Sequence, residues 1–368
     1  MSSKIAVIVG VRPNFMKAAP VLKELSRRGL QLFLIHTGQH YDQLLSKVFF
    51  KDLDIPEPDL HLEVKNDTRS GQLSEIIEKL SIILEECDPG LVIVFGDVTS
   101  TLGGALAARM SDFSLAHIEA GLRSFDNGMP EEINRRLTDA ISDLLFVTEE
   151  SGVENLNNES CRGRIFLVGN TMIDSLLATA ERSCVEYPAP NWDYALATLH
   201  RPDNVDNLDI LANLITALEE IGEELPVYFS VHPRTEKNLR ILYPDLVLQD
   251  EIDNSKRGLF YLTPRPYSEF LSLMKSSKMV LTDSGGIQEE TTVLGVPCLT
   301  LRENTERPIT IDIGTNILVG RDSKRIVLEA KKIMNSVEIK GRIPPFWDGN
   351  AASRIADHII EYLSLIHI

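Results

Sequence analysis

The chain has 368 residues, enough for about two domains at roughly 150 residues each, and each would be large enough to bury its own core. Its 37 Lys and Arg stand against 54 Asp and Glu, a formal net charge of −17, which excludes a protein whose affinity rests on neutralising nucleic-acid phosphates or anionic lipid. Hydrophobic residues make up 43% and charged residues 25%, which excludes a disordered chain, and no apolar run approaches the roughly 18 residues of a membrane span.

In chain order, short β-branched runs fall at 5–9, 32–36, 91–95, 115–118, 144–147 and 165–168, with amphipathic stretches such as 16–27, 70–86 and 132–142 between them. Strands apolar on both faces and separated by helices predict a parallel sheet covered on both sides. The scheme repeats at 194–199, 227–231, 260–263, 279–281, 298–301 and 317–319. The expected fold is therefore α/β, with two doubly wound Rossmann-like domains at 1–183 and 193–350. The Pro-rich stretch 184–192 is the expected linker, and a last helix at 351–363 is expected to pack back on a domain. The first residues lead into a strand without a signal-peptide pattern, so the expected location is the cytoplasm. Cys87, Cys161, Cys184 and Cys298 lack the paired spacing of zinc or redox sites and read as small apolar fillers.

In open parallel sheets ligands sit beyond the carboxyl ends of the strands, so the chemistry is sought just after each strand. Gly10-Val-Arg12-Pro13-Asn14-Phe15-Met16-Lys17 is neither a dinucleotide glycine turn nor a Walker loop, which removes the main support for hydride chemistry on a nicotinamide. It offers Arg12 and Lys17 at a helix start, where side-chain cations and backbone N–H groups can hold phosphate. Asp97 follows a buried strand ending in Gly96 and reads either as an N-cap or as a working carboxylate. His117 and Glu119 fall on one face of a strand by the period of two. Glu131 and Arg135, four apart on the next helix, could form a plain surface ion pair. Together Asp97, Glu119 and Glu131 supply three carboxylates for acid–base work. In the second half, His200 and His232 each follow a strand, where a histidine can equally be a satisfied core residue. Asp283-Ser284-Gly285-Gly286 opens a helix whose N–H groups can approach an anion closely. Glu290 lies one turn further on, placed to accept from sugar or ribose hydroxyls, and Arg307 adds a cation.

With those residues in hand, the sequence resembles the non-hydrolysing UDP-N-acetylglucosamine 2-epimerases, whose two domains have the GT-B architecture and face a cleft. The resemblance runs almost end to end, through Gly10–Lys17, His36-Thr-Gly-Gln-His40, Gly96-Asp97, His117–Arg123, Pro130–Arg135, Gly169-Asn170-Thr171, His200-Arg201, Asp283–Glu290, Thr305–Pro308 and Trp347-Asp348-Gly349. It implies a UDP site at Ser284, Gly285, Gly286 and Glu290, with Arg265 and Phe270 near the uracil. It also implies catalytic roles for Asp97, Glu119, Glu131 and His200 and substrate contacts from Arg12, Lys17, Arg135 and Arg307. A second, activating substrate site of some bacterial members would fall near Gln39, Gln43, Arg69 and His232. Two departures stand out: Gly-Val-Arg-Pro-Asn replaces the family's common Gly-Thr-Arg-Pro-Glu, and Pro202-Asp203 follows His200-Arg201.

The reaction so implied interconverts UDP-GlcNAc and UDP-ManNAc by anti elimination of UDP and re-addition through 2-acetamidoglucal. It needs no cofactor and no metal, and it serves cell-surface polysaccharide synthesis in a homodimeric enzyme. The other readings are a UDP-2,3-diacetamido-sugar acid 2-epimerase, a hydrolysing epimerase, a GT-B glycosyltransferase, and a UDP-sugar sensor that turns nothing over.

Overall fold

The computed structural model describes residues 4–38, 55–252, 256–336 and 341–366. The chain forms two compact units, the first from Met1–Ala178 and Pro345–Ile368 and the second from Thr179–Pro344. In the first, strands β1 (Ile5–Val9), β2 (Leu32–His36), β3 (Leu60–His61), β4 (Leu91–Phe95), β5 (Leu115–Ala120), β6 (Leu144–Val147) and β7 (Arg164–Leu167) form one sheet in the order β3-β2-β1-β4-β5-β6-β7. Every pairing is parallel. Both faces of β1 and β4 are buried, as their continuous apolar runs demand. Helices α1 (Arg12–Arg27), α2 (Arg69–Cys87), α3 (Thr99–Met110), α4 (Pro130–Ile141), α5 (Glu150–Asn158) and α6 (Thr171–Glu186) alternate with them.

The second unit carries β8 (Ala195–Thr198), β9 (Val227–Ser230), β10 (Leu259–Leu262), β11 (Met279–Thr282), β12 (Cys298–Thr300) and β13 (Asn316–Leu318) in the parallel order β10-β9-β8-β11-β12-β13. Its helices are α7 (Pro202–Val205), α8 (Leu208–Gly222), α9 (Pro233–Leu242), α10 (Tyr267–Ser276), α11 (Gly285–Leu294), α12 (Ile309–Asp312) and α13 (Ser323–Met334). Local chemistry sets several of their starts. Asn207 accepts from the Asp209 and Ile210 N–H groups at the head of α8, and Asp322 accepts from Lys324 N–H at the head of α13, each replacing intrahelical partners that a first turn lacks.

The α/β class read from the sequence is the class observed. Strand order reverses between β1 and β4 in one sheet and between β8 and β11 in the other, and such switch points are where ligands bind. The loops concerned are Gly10–Lys17 and Gly96-Asp97 in the first unit, and His200-Arg201 and Asp283–Gly286 in the second.

The unit boundary does not coincide with the expected linker. It falls between Ala178 and Thr179, inside α6, whose helical pattern runs on to Glu186 and so hides it. Tyr187, within the 184–192 stretch, accepts from Ser272 Oγ at 2.5 Å and belongs to the second unit. The chain returns to the first unit at Pro345. There Trp347 is fully buried and donates Nε1–H to Thr148 O at 3.1 Å. The Asp174 carboxylate accepts from the Ala351 and Ala352 N–H groups at 3.3 and 2.8 Å, at the head of α14 (Ala351–Ile366). Among the described residues no helix is long and apolar enough to cross a membrane.

Candidate active site

In the first unit the turn after β4 is held by side chains from three elements. Asn14 of α1 donates Nδ2–H to Phe95 O at 2.9 Å, His117 of β5 donates Nε2–H to Gly96 O at 2.7 Å, and Asn134 of α4 donates Nδ2–H to Asp97 O at 2.8 Å. Three successive carbonyls are thereby fixed, and with them the Asp97 carboxylate. Asn14, one of the two departures from the family pattern, also accepts from Gly10 N–H at 3.2 Å. A carboxylate at that position has no proton to give Phe95 O. Gly96 has φ +62°, and a Cβ there would lie 2.9 Å from Lys17 Nζ. The glycine therefore supplies both the left-handed turn and the room for the ammonium.

Lys17 pairs with Glu119, and both are buried. A pair of ions this far from water persists only when each compensates the other. Glu119 itself sits at φ +73°, where β5 carries a bulge: Ile118 opposes Phe146 and Ala120 opposes Val147. The bulge breaks the period of two that would put His117 and Glu119 on one face. Glu119 meets Lys17 of α1, whereas the fully buried His117 ring places Nδ1 2.7 Å from Asp139 Oδ1 of α4. Arg123 holds the other Asp139 oxygen at 2.7 Å and grips Glu159 with Nε and Nη2. Burial disfavours charge on Arg123, but Glu159 and Asp139 more than offset it and raise its pKa.

Arg135 does not pair with Glu131. It bonds Asp97 with one arm and Glu132, at 2.8 Å, with the other. Glu132 is 1% exposed and also accepts from Ser124 N–H and Oγ–H at 2.9 and 3.0 Å, tying the loop after β5 to α4. The N-cap reading of Asp97 gives way as well, because α3 starts after Val98, with no side-chain cap. Glu131 is half-buried in the first turn of α4, and among the described residues its carboxylate has no hydrogen bond or ion pair. Lys17 with Glu119 and Arg135 with Asp97 thus form two ion pairs, and Lys17 Nζ lies beside Gly96, the residue before Asp97. Arg12 opens α1, and its side chain lies outside the described residues, as do Gln39 and Gln43. Arg69 is exposed at the head of α2.

In the second unit Asp283 organises the turn after β11. It is fully buried and accepts from the backbone N–H groups of His200 and Arg201, at 3.1 and 3.0 Å, and from Asn204 Nδ2 at 3.1 Å. Burial alone would raise its pKa, but His200 and the backbone donors hold it below the usual carboxylate range. Glu306, 3% exposed, gathers three guanidinium groups: Arg307 at 2.5 Å, Arg302 at 2.8 Å and Arg201 at 3.2 Å. Against the cost of burial, they keep its pKa well below the ordinary value. Arg307 also donates Nε–H to Glu289 at 2.6 Å. This cluster lies against the start of α11, since a Cβ on Gly285 would come 2.7 Å from Arg307 Nη1 and 2.9 Å from Glu306 Oε1. His200, Ser284, Gly285, Gly286 and Arg307 are thus brought together. The first turn of α11 adds N–H groups without intrahelical partners and the positive end of a helix dipole, a set suited to an anion.

The remaining expected residues are placed separately. Glu290 is buried, with Oε1 accepting from Tyr267 O–H at 2.8 Å. Arg265 pairs with Glu269 at 3.1 Å and donates to Asp250 O at 2.5 Å, and Phe270 is half-buried on α10. His232 is exposed, not a core residue, and its Nδ1 accepts from Arg234 N–H at 3.1 Å. Sequence reasoning missed Asn134, Glu132, Asp139, Asp283 and Glu306 as supporting residues. Only Asp283 carried a local signal, a carboxylate at a strand end just before Ser-Gly-Gly.

Comparison with known proteins gives a consistent picture. A family model described as UDP-N-acetylglucosamine 2-epimerase matches residues 23–360. The UDP-N-acetylglucosamine 2-epimerase of Methanocaldococcus jannaschii is 39% identical over 98% of this chain and 99% of its own. Its crystal structure in complex with UDP-GlcNAc and UDP superposes with a TM-score of 0.87, covering 98% of this chain and 99% of that one at 38% identity. The UDP-2,3-diacetamido-2,3-dideoxy-D-glucuronate 2-epimerase of Pseudomonas aeruginosa is 38% identical over 97% of this chain and 99% of its own.

Proposed function

This chain belongs to the UDP-N-acetylglucosamine 2-epimerase family, and from that premise we propose that it inverts C2 of UDP-N-acetylglucosamine to give UDP-N-acetylmannosamine, and the reverse. The observation that carries the reading is the content of the switch-point loops in the two sheets. One holds a helix start suited to an anion, beside Arg307 of the cluster gathered on Glu306; the other holds carboxylates beside a buried lysine.

The chemistry divides between them. C2–H of an acetamido sugar is scarcely acidic, so its removal is coupled to loss of UDP from C1. The C2–H electron pair becomes the C1=C2 bond of 2-acetamidoglucal, and the C1–O pair leaves with UDP. Adding UDP back at C1 and a proton to the other face of C2 completes the inversion. Gly285, Gly286, Ser284, Arg307 and His200 stabilise charge developing on the diphosphate, with Arg12 assisting. Asp97, Glu119 and Glu131 serve as base and acid, with Lys17 and Arg135 fixing two of them. Glu290, Arg265 and Phe270 hold the nucleoside.

The similarity to the Pseudomonas relative favours one second reading, a UDP-2,3-diacetamido-sugar acid as substrate for the same chemistry. Incubation with each nucleotide sugar separately, followed by proton NMR at C1 and C2, separates the two. We expect the C2 epimer from UDP-N-acetylglucosamine; free N-acetylmannosamine plus UDP, or no change without an added acceptor, would contradict the proposal. We further propose a cytoplasmic homodimer. The cysteines are free, which fits a reducing compartment. Ile133 and Leu137, each 48% exposed, lie one turn apart on α4 and offer an apolar surface to a second copy. Light scattering behind a sizing column should give twice the 41.1 kDa chain mass.

A further inference from the structure

We propose that Asp283 is a positioning residue for His200. It fixes the ring proton on Nδ1, so that Nε2 is the ring atom presented to the substrate's diphosphate; the catalytic part of this inference rests on the epimerase reading above.

Donors surround this one carboxylate. Asp283 faces the backbone N–H groups of His200 and Arg201, the Asn204 amide at 3.1 Å, and His200 Nδ1 at 3.2 Å. An ionised carboxylate offers only lone pairs, so Nδ1 must carry its hydrogen toward Asp283, and the partner of one ring nitrogen sets the state of the other. Among the described residues Nε2 has no hydrogen bond. The His200 side chain is 39% exposed while that of Asp283 is fully buried, so the ring bridges the buried carboxylate and the open end of the sheet. The His232 ring, tilted, has its centroid 5.6 Å away. Asp283 directly precedes Ser284 and Gly285, and Arg201 donates Nε–H to the Asp283 carbonyl at 3.2 Å. The same residue therefore places the histidine and the anion-binding turn in one frame.

Replacing the carboxylate by an amide tests this. In Asp283→Asn one side-chain oxygen becomes an N–H donor, which must then face a donor. The two backbone N–H groups cannot change role, and the Asn204 amide is held against a flip by donating Nδ2–H to Leu301 O and accepting from Arg321 Nε–H, each at 2.8 Å. The imidazole alone can accept, by moving its proton to Nε2.

The experiment has two arms. In the first, histidine-15N-labelled wild type and D283N are compared by long-range nitrogen–proton correlation at a pH where the ring is neutral. We expect the His200 proton on Nδ1 in wild type and on Nε2 in D283N. In the second, kcat and KM are measured for wild type, D283N, H200Q and the double variant, with folding checked by circular dichroism. We expect D283N to lower kcat by roughly tenfold or more, as a wrong tautomer does in a histidine dyad, while KM changes less than about threefold. In the H200Q background the same change should cost less than about twofold, because residues acting as one unit are not additive. A wild-type proton on Nε2, or an equal penalty in both backgrounds, overturns the proposal. Should D283N not fold, the wild-type spectrum decides by itself. Wild type that does not epimerise contradicts the proposed function, whereas the spectrum still tests the Asp283–His200 link.

Discussion

Lys17 and Glu119 show how one contact can serve both stability and chemistry, and the two can be separated. Lys17→Met removes a buried ammonium from beside the Glu119 carboxylate, and breaking a buried pair in this way should cost about 3–5 kcal/mol in chemical denaturation. Adding Glu119→Gln removes the buried carboxylate charge as well, so K17M/E119Q should regain most of the stability and none of the activity. If the double variant recovers turnover, neither residue takes part in proton transfer. Glu131 poses the complementary case. Without a hydrogen bond or ion pair among the described residues, it has little to contribute to folding, so Glu131→Gln should leave the unfolding free energy within about 0.5 kcal/mol of wild type. A role as acid or base calls for a fall in kcat of about 10²–10⁴-fold. Steady-state rates alongside urea melts check both halves.

At the level of elements, the chemistry is concentrated where a strand ends and the chain must turn sharply. The bulge in β5 and the left-handed Gly96 aim Glu119 and Asp97, and both depend on backbone conformations with positive φ. Gly96→Ala puts a methyl 2.9 Å from Lys17 Nζ on a backbone that disfavours it, so we expect a loss of about 1–3 kcal/mol together with a fall in kcat from displacement of the ammonium. Unchanged turnover in G96A would mean that Lys17 need not sit there. The sequence made the strand-end loops legible, because apolar runs followed by Gly, Asp, His or Ser reflect a local pattern that burial imposes. It could not reveal the bulge, since Glu119 looks like any alternating residue and only the shift in pairing against β6 turns it. Nor could it show that Arg135 reaches Asp97, 38 positions away, in preference to its neighbour Glu131, or that Glu306 gathers three arginines. Those links are tertiary and leave no periodic trace. The unit boundary inside α6 was hidden for the opposite reason: the helical pattern there continues without a break.

Across the whole molecule, the stability of the first unit should carry two opposing pH terms. Burial pushes Asp174 up to about 6, although the Ala352 and Ala351 N–H groups pull the other way. Burial, and then neighbouring His61, pushes His36 down to about 4. Between pH 3.8 and about 6 the folded chain binds more protons at Asp174 than the unfolded chain does, so this contribution to stability falls as pH rises. Between about pH 4 and 6.5 the folded chain binds fewer at His36, so that contribution rises with pH. Each shift corresponds to about 3 kcal/mol, and in wild type the two nearly cancel. Relative to wild type, D174N should therefore gain about 3 kcal/mol from about pH 4 to 6, and H36Q should lose a similar amount; parallel curves in urea titrations would contradict both assignments. The central claim, that C2 is inverted through loss and return of its proton, is tested most directly by running the reaction in heavy water. With UDP-N-acetylglucosamine as substrate, the epimer formed should carry solvent deuterium at C2, read as loss of the C2 proton signal by NMR. Product that keeps its original C2 hydrogen would contradict the elimination route and, with it, proton transfer by Asp97, Glu119 and Glu131.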